Sequence, residues 1–191
     1  MDDIGTLLSA FGLAAAAGLN AYIPLLVVAL LARFTDWIAL APPYDALIHP
    51  AIIGLLFLLA FIEFFADKIP AVDAINDGIQ TFVRPAAGAL LFGAQTGAIR
   101  EIHPVLALAC GLLIAGGVHT LKAAFRRVVQ AGAPPLAPVT TPALSVLEDV
   151  ASLAVSLIAV LAAWGILALG ILFGLWVAQR VRRKRTLHLS G

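Results

Sequence analysis

The sequence predicts an all-α protein, a polytopic integral membrane helical bundle of about five transmembrane helices. The first observation is composition: 62% of the 191 residues are apolar and 12% are charged, whereas soluble domains average about 45–50% and about 25%. The second is a mean hydropathy of +1.03, which reflects more apolar surface than a soluble domain of this length can hide. The third is a series of long charge-free runs. Together they exclude a soluble enzyme, a nucleic-acid-binding module and a disordered chain.

The charge-free runs predict where the helices cross the membrane. About 20 helical residues, rising 1.5 Å each, cross a hydrocarbon core about 30 Å thick. Five runs serve as the predicted spans: 4–32, 46–62, 85–99, 102–121 and 150–179. They form a single transmembrane domain over 1–191, with a basic tail at 179–191. An alternative divides the last run at Gly165 into two half-helices, which makes the number of spans even.

The segments outside these runs predict loops, symmetry and orientation. The stretch 128–147 is uncharged but holds four prolines, a density that predicts a loop. Residues 41–51 and 133–143 repeat the same proline spacing, which indicates a weak inverted repeat of the kind common in transporters. Alternatively, proline-rich loops before helices simply resemble each other. The five basic residues within 180–185 predict a cytoplasmic C-terminus.

Acidic side chains gather at the ends of the predicted spans. They are Glu63, Asp67, Asp73, Asp77, Glu148 and Asp149. With five spans, the same membrane face also receives basic residues, which are Lys68, Arg84, Lys122, Arg126 and Arg127. This grouping predicts a charged vestibule or an ion-binding site. The alternative is a set of interfacial salt bridges that only fixes the helix packing.

Arg84 is predicted to lie at hydrocarbon depth. Polar residues over 73–84 follow helical 3–4 spacing and share one helix face. The charge-free run 85–99 behind them has only 15 residues, about 22 Å of helix, so the span has to include part of the polar stripe. A buried arginine then needs a carboxylate partner. The candidates are Asp77 on the same helix and Glu63, Asp73 or Glu148 on others. Alternatively, 70–84 lies flat in the interface.

Further polar groups lie within the predicted spans. Glu63 and Asp67 are four residues apart, so they share a helix face and as a pair could carry a proton or bind a cation. In the alternative, the lysine that follows and a wet interface keep both ionised. Asn20 precedes Pro24, whose ring kinks a helix and frees a carbonyl group. His119, like Asn20, is either a site residue or a hydrogen-bonding contact between helices.

Several sequence motifs resemble those of a known family. They are Gly-Leu-Asn-Ala-Tyr-Ile-Pro-Leu-Leu at 18–26, Glu-Phe-Phe-Ala-Asp-Lys-Ile-Pro-Ala-Val-Asp at 63–73, Asn76-Asp77, Arg84-Pro85 and Glu148-Asp149. Over nearly the whole chain they resemble the bacterial membrane family called domain of unknown function 4126. The resemblance implies a membrane fold and a multi-pass position in the bacterial inner, or plasma, membrane. It implies no mechanism.

The charge pattern favours a small transporter or channel-like carrier whose partners are the lipid bilayer and a small ion. The candidate substrate- or ion-binding residues are Asn20, Glu63, Asp67, Asp73, Asp77, Arg84, His119, Glu148 and Asp149. One alternative is a membrane scaffold or assembly protein, a homo-oligomer included, whose charges are structural. Another is an enzyme that handles a lipid phosphate. The sequence contains no recognised catalytic, metal-binding or cofactor motif, so we expect neither enzyme activity nor a cofactor.

Overall fold

A computed structural model of the chain describes residues 3–97, 102–132 and 137–188, and within them it contains six α-helices and no β-strand. The helices are α1 (Asp3–Leu19), α2 (Tyr22–Phe34), α3 (Pro50–Ala66), α4 (Pro70–Thr96), α5 (Pro104–Gly132) and α6 (Ala137–His188). A short 3-10 helix, Tyr44–Ile48, lies between α2 and α3. The predicted all-α class is therefore confirmed.

Helix α1 lies at the centre of the bundle, where it packs against α4, α5 and α6, while α2 packs against α3 and α6. Small residues allow these backbones to approach closely. A Cβ atom added to Gly88 on α4 would collide with Ala115 on α5, and one added to Gly18 would lie 2.6 Å from the carbonyl oxygen of the same Ala115. This close packing of small residues is typical of helices that associate in membranes.

Apolar side chains face outward in this bundle, and many polar side chains face inward. Phe82 on α4 is 79% exposed, whereas Arg84, two residues further on, is fully buried. Leu121 and Phe57 likewise expose most of their surface on α5 and α3. This distribution is the reverse of that in soluble domains, where charged residues are almost never fully buried. So large an exposed apolar surface marks contact with a membrane or another protein.

Two helical segments are long and apolar enough to cross a membrane, Pro104–Val129 in α5 and Val139–Ala162 in α6. Three shorter apolar helices cover Ile4–Leu19, Tyr22–Phe34 and Pro50–Ala66. By length and composition, these segments give weak evidence of membrane association. The full arrangement of five spans stays a prediction.

The first predicted span is not one helix, because the chain breaks between α1 and α2. The side-chain oxygen of Asn20 accepts hydrogen bonds from the backbone N–H groups of Tyr22 and Ile23, both at 3.0 Å. These contacts satisfy two of the amides that the start of a helix leaves without partners. Pro24 lies in the first turn of α2, where a missing N–H removes no helical hydrogen bond. Asn20 and Pro24 therefore produce a restart and not the kink that the sequence predicted.

The loop predicted over 128–147 is mostly helical. Helix α5 continues to Gly132 and α6 begins at Ala137, whereas Pro134 and Pro135 lie outside the described residues. Pro138 occupies the first turn of α6, where proline is tolerated, and Pro142 lies inside the helix. The two proline-rich copies of the proposed repeat also differ, because Pro50 begins α3 while Pro142 does not begin a helix.

The remaining predictions concern α4 and the end of the chain. Helix α4 joins the polar stripe and the apolar run in one 27-residue helix with Pro85 inside it, as required if the span includes the stripe. Helix α6 continues without interruption through Gly165, so the division of the last run into two half-helices is wrong. Of the predicted basic tail over 179–191, the structure describes only the backbone as far as His188.

Candidate functional site

Charged side chains from four helices meet inside the bundle and form what we call the buried ionic cluster. Its members are Glu63 and Asp67 of α3, Arg84 of α4, His119, Lys122 and Arg126 of α5, and Glu148 of α6. None of them is more than 9% exposed. Burying this many charges is unfavourable unless each is paired and hydrogen-bonded, so the contacts within the cluster determine whether the fold is stable.

Arg84 forms the first ion pair of the cluster. Its Nη2 atom lies 3.0 Å from Glu63 Oε1 and 4.0 Å from Asp67 Oδ2, and its side chain is fully buried. The predicted burial of Arg84 and its pairing with a carboxylate are confirmed. The partner, however, is Glu63 and not Asp77. Because Asp77 lies seven residues away on the same helix, it is about 10 Å away along the axis. Helix α3 packs beside α4 and places the carboxylates of Glu63 and Asp67 next to Arg84.

Two other polar residues, Lys68 and Asn76, flank this part of the cluster. Lys68 donates a hydrogen bond to the backbone oxygen of Phe64 and lies over its ring, with Nζ 3.1 Å from the ring centroid. Glu63 and Asp67 are both buried. Asp67 Oδ1 accepts a hydrogen bond from Asn76 Nδ2 at 2.6 Å.

His119 connects Arg84 to a second set of polar groups. Arg84 Nη1 lies 3.1 Å from His119 Nδ1, and a guanidinium group can only donate, so Nδ1 accepts. His119 Nε2 then carries the proton and donates to Thr81 Oγ1 at 3.3 Å. Thr81 in turn donates to the backbone oxygen of Asp77 at 2.8 Å. These contacts form a continuous hydrogen-bonded chain from Glu63 through Arg84 and His119 to the partly exposed Asp77.

Lys122 and Arg126 converge on Glu148. Arg126 Nε lies 2.9 Å from Glu148 Oε1, and Arg126 Nη2 contacts Oε2 at 2.5 Å, which makes a bidentate pair. Lys122 Nζ lies 2.9 Å from the same Oε2 and donates to the backbone oxygen of Leu19 at 3.0 Å. Lys122 therefore connects the ionic cluster to the last turn of α1, where helical carbonyl groups have no intrahelical partner.

The break between α1 and α2 lies beside the cluster. Asn20 Nδ2 donates to Asp149 Oδ1 at 2.9 Å, and Ser152 Oγ donates to the backbone oxygen of Ala16 at 3.0 Å. The end of α1 and the start of α2 thus receive side chains from α5 and α6. Glu148 and Asp149 are consecutive but face different partners, because one pairs with two bases and the other with an amide.

A cavity of about 240 Å³ lies against this break. Its polar residues are Asn20 and Asp149, and its apolar residues are Ile23, Leu26, Phe57, Ala60, Phe61 and Phe64. The cavity therefore has walls from α2 and α3 and reaches Asp149 of α6. It does not reach Arg84 or Asp77.

Four buried polar atoms around the site have no hydrogen-bond partner within the part of the chain that the structure describes. They are Glu63 Oε2, Gln80 Oε1, Arg84 Nε and Asp149 Oδ2. Most buried polar atoms in folded proteins have a partner, so these four atoms distinguish this region from the paired contacts of the cluster.

The sequence placed most of these groups correctly but missed some. Asp73 was a candidate, and its side chain lies outside the described residues. Thr81 was missed, although it lies four residues after Asp77 and three before Arg84 on one helix face, a spacing that identifies it. Lys122 and Arg126 were placed in the charge grouping that predicts a vestibule but not among the candidate binding residues. No group of three or more metal-ligating side chains occurs among the residues described here.

The helices and the site define the class: an all-helical bundle with an apolar exterior and a buried, largely paired ionic centre. The chain belongs to the family "Domain of unknown function (DUF4126)", whose pattern it matches over residues 7–184. This confirms the resemblance found in the motifs, and it assigns no activity. No curated protein and no solved structure matches the chain.

Proposed function

We propose that the protein is a multi-pass bundle of about five spans in the bacterial inner membrane, with its C-terminus in the cytoplasm. The support is the reversed distribution of side chains, with Phe82 exposed and Arg84 buried. An exposed apolar surface is stable in lipid, where apolar side chains have no water to avoid. The two long apolar segments in α5 and α6 agree with this position.

Within that membrane position, the protein acts as a small transporter or channel-like carrier for a proton or another monovalent cation. A helix broken next to a charged centre is a recurrent arrangement in secondary transporters, because the free helix ends offer backbone groups to a substrate or ion. Here side chains bind the backbone groups at the break, since Asn20 accepts from two amides of α2 and Lys122 donates to the oxygen of Leu19. Through these two side chains the break adjoins the carboxylates of Asp149 and Glu148. The position of the helix break beside the carboxylates of Asp149 and Glu148 is the observation that supports the proposal most directly.

The unpaired carboxylate of Asp149 favours a cation as the transported species. Glu63, Asp67 and Glu148 each lie within 4.0 Å of a basic side chain. No ion pair to Asp149 occurs among the described residues. A proton or a monovalent cation at Asp149 would neutralise this carboxylate.

A non-transporting membrane scaffold is the second candidate. Arg84 is fully buried and closely paired, and the cavity does not reach it, as expected if the cluster only locks the helices together. A lipid-phosphate enzyme has less support, because Arg84 and Lys122 already bind carboxylates.

Flux through reconstituted protein distinguishes transport from a scaffold. Proteoliposomes with the wild-type chain should pass protons or a monovalent cation under an imposed gradient, above the rate of protein-free vesicles. Asp149→Asn should abolish this flux, whereas Asp45→Asn, which changes an exposed acid in the 3-10 helix, should leave it unchanged. Wild-type vesicles that pass no proton or monovalent cation would refute transport and favour the scaffold.

A further inference from the structure

From the cavity between α2, α3 and Asp149, we propose a binding site for a small organic ammonium ion that carries an aromatic or similarly compact apolar group. The site shares Asp149 with the proposed function and names the chemical class of the cation. It rests on that proposal only for the absence of an ion pair to Asp149 among the described residues, since binding requires no transport.

Asp149 supplies one free acceptor at the polar end of the cavity. Asn20 Nδ2 donates a hydrogen bond to Asp149 Oδ1 at 2.9 Å, and this contact holds the carboxylate in place. Asp149 Oδ2 is buried and has no hydrogen-bond partner in the described part of the chain. An ammonium group brings a donor for this oxygen and a positive charge beside the carboxylate, and hydrogen bonds between charged groups are the stronger kind.

The walls of the cavity fit the rest of such a ligand. Phe57, Phe61 and Phe64 line one side from α3, and Ile23 and Leu26 line the other from α2. The three rings are also exposed at the outer surface, so the cavity is open on their side. Aromatic rings attract cations through their faces; the ammonium of Lys68 already lies over the Phe64 ring, so Phe57 and Phe61 supply the ring faces for a ligand. A metal ion without an apolar part would leave these walls unused.

The volume of the cavity limits the size of the ligand. An engineered cavity of about 150 Å³ in another protein holds a benzene ring. The cavity here has about 240 Å³, which accommodates one ring and a short ammonium arm. A full lipid molecule is much larger, so only part of a lipid chain could enter through the side where the phenylalanine rings are exposed.

Equilibrium binding of labelled 2-phenylethylammonium to the purified full-length chain in lipid nanodiscs tests the site, with neutral 2-phenylethanol as the matched ligand. The wild type should bind the ammonium form about 10- to 100-fold more tightly, the range expected for one charge-assisted hydrogen bond. Asp149→Asn should remove this preference. Asp45→Asn, the exposed-acid control, should retain it.

A second variant keeps the test decisive if Asp149→Asn does not fold. Ala60→Trp fills the cavity from α3 and leaves every polar group in place, so it should abolish binding of both ligands. Equal affinity of the wild type for the two ligands, or no binding of either, would overturn the proposal. Full ammonium binding in Ala60→Trp would overturn it as well. Binding without flux would refute the proposed transport and leave this site standing.

Discussion

Replacing Arg84 with alanine should strongly destabilise the protein. The guanidinium group is fully buried, lies 3.0 Å from Glu63 Oε1 and donates to His119 Nδ1. Its loss leaves the Glu63 carboxylate buried without its nearest counter-charge and leaves His119 without a donor. Arg84→Lys should rescue only part of the loss, because one ammonium cannot reproduce a planar fork that contacts both residues.

The magnitude follows from the two contacts. Removal of one partner from a buried ion pair costs about 3–5 kcal/mol, and an unsatisfied buried acceptor costs about 1–3 kcal/mol more. Natural proteins have only about 5–15 kcal/mol of net stability. We therefore expect Arg84→Ala to lower the melting temperature in nanodiscs strongly or to prevent folding.

A double-mutant cycle separates a structural from a functional pair. Adding Glu63→Gln to Arg84→Ala removes the uncompensated charge and should restore much of the stability. If the pair is only structural, flux returns with stability; if it is functional, stability returns and flux does not. Arg127→Ala is the matched control, because Arg127 is an exposed arginine on α5. A wild-type melting temperature and flux in Arg84→Ala would refute this reasoning, because Arg84 would then have to be hydrated.

Three further outcomes are expected. Gly88→Leu should prevent α4 from packing on α5 and lower the melting temperature sharply, while Gly117→Leu should not, because no atom lies within 4 Å of an added Cβ there; equal effects would contradict the close packing. Asn20→Ala removes two capping hydrogen bonds of α2 and the amide that holds Asp149. It should lower the free energy of unfolding, measured with a chemical denaturant, by about 1–3 kcal/mol. An unchanged denaturation midpoint would show that these hydrogen bonds do not stabilise the fold. In a cysteine-free background, Thr140→Cys should react with an impermeant maleimide in intact cells and Asp45→Cys only after permeabilisation; the opposite labelling would reverse the proposed orientation.

The sequence contained enough information to predict the burial of Arg84 but not its partner. The shortness of the run 85–99 is a local property of the chain, so counting residues sufficed. The choice of Glu63 depends on how α3 packs beside α4, and this is a tertiary contact between residues 21 positions apart. Glu63 was one of four candidate partners that the sequence offered, and Asp77, the candidate on the same helix, is not the partner.

The predicted helix boundaries were wrong for a different reason. Proline density predicted a loop over 128–147, but proline interrupts a helix only where its missing N–H or its ring conflicts with the preceding turn. Pro138 lies in a first turn and avoids that conflict. At Asn20 the predicted hydrogen bond between helices is confirmed, since the side chain donates to Asp149 of α6. The sequence did not predict that the same side chain also caps α2, because local sequence does not show which hydrogen bonds a side chain will choose.

The seclusion of the Arg84–Glu63 pair has a consequence for how the protein responds to its medium. Both side chains are at most 1% exposed, so dissolved counter-ions cannot approach them, and screening over about 10 Å at 0.1 M salt acts only on charges that water reaches. Ionic strength therefore adjusts the outer charges, such as Asp45 and Arg127, and leaves this central contact unaltered. What weakens the contact is the entry of water between α3 and α4, so the strength of the pair depends on how tightly those helices are held together.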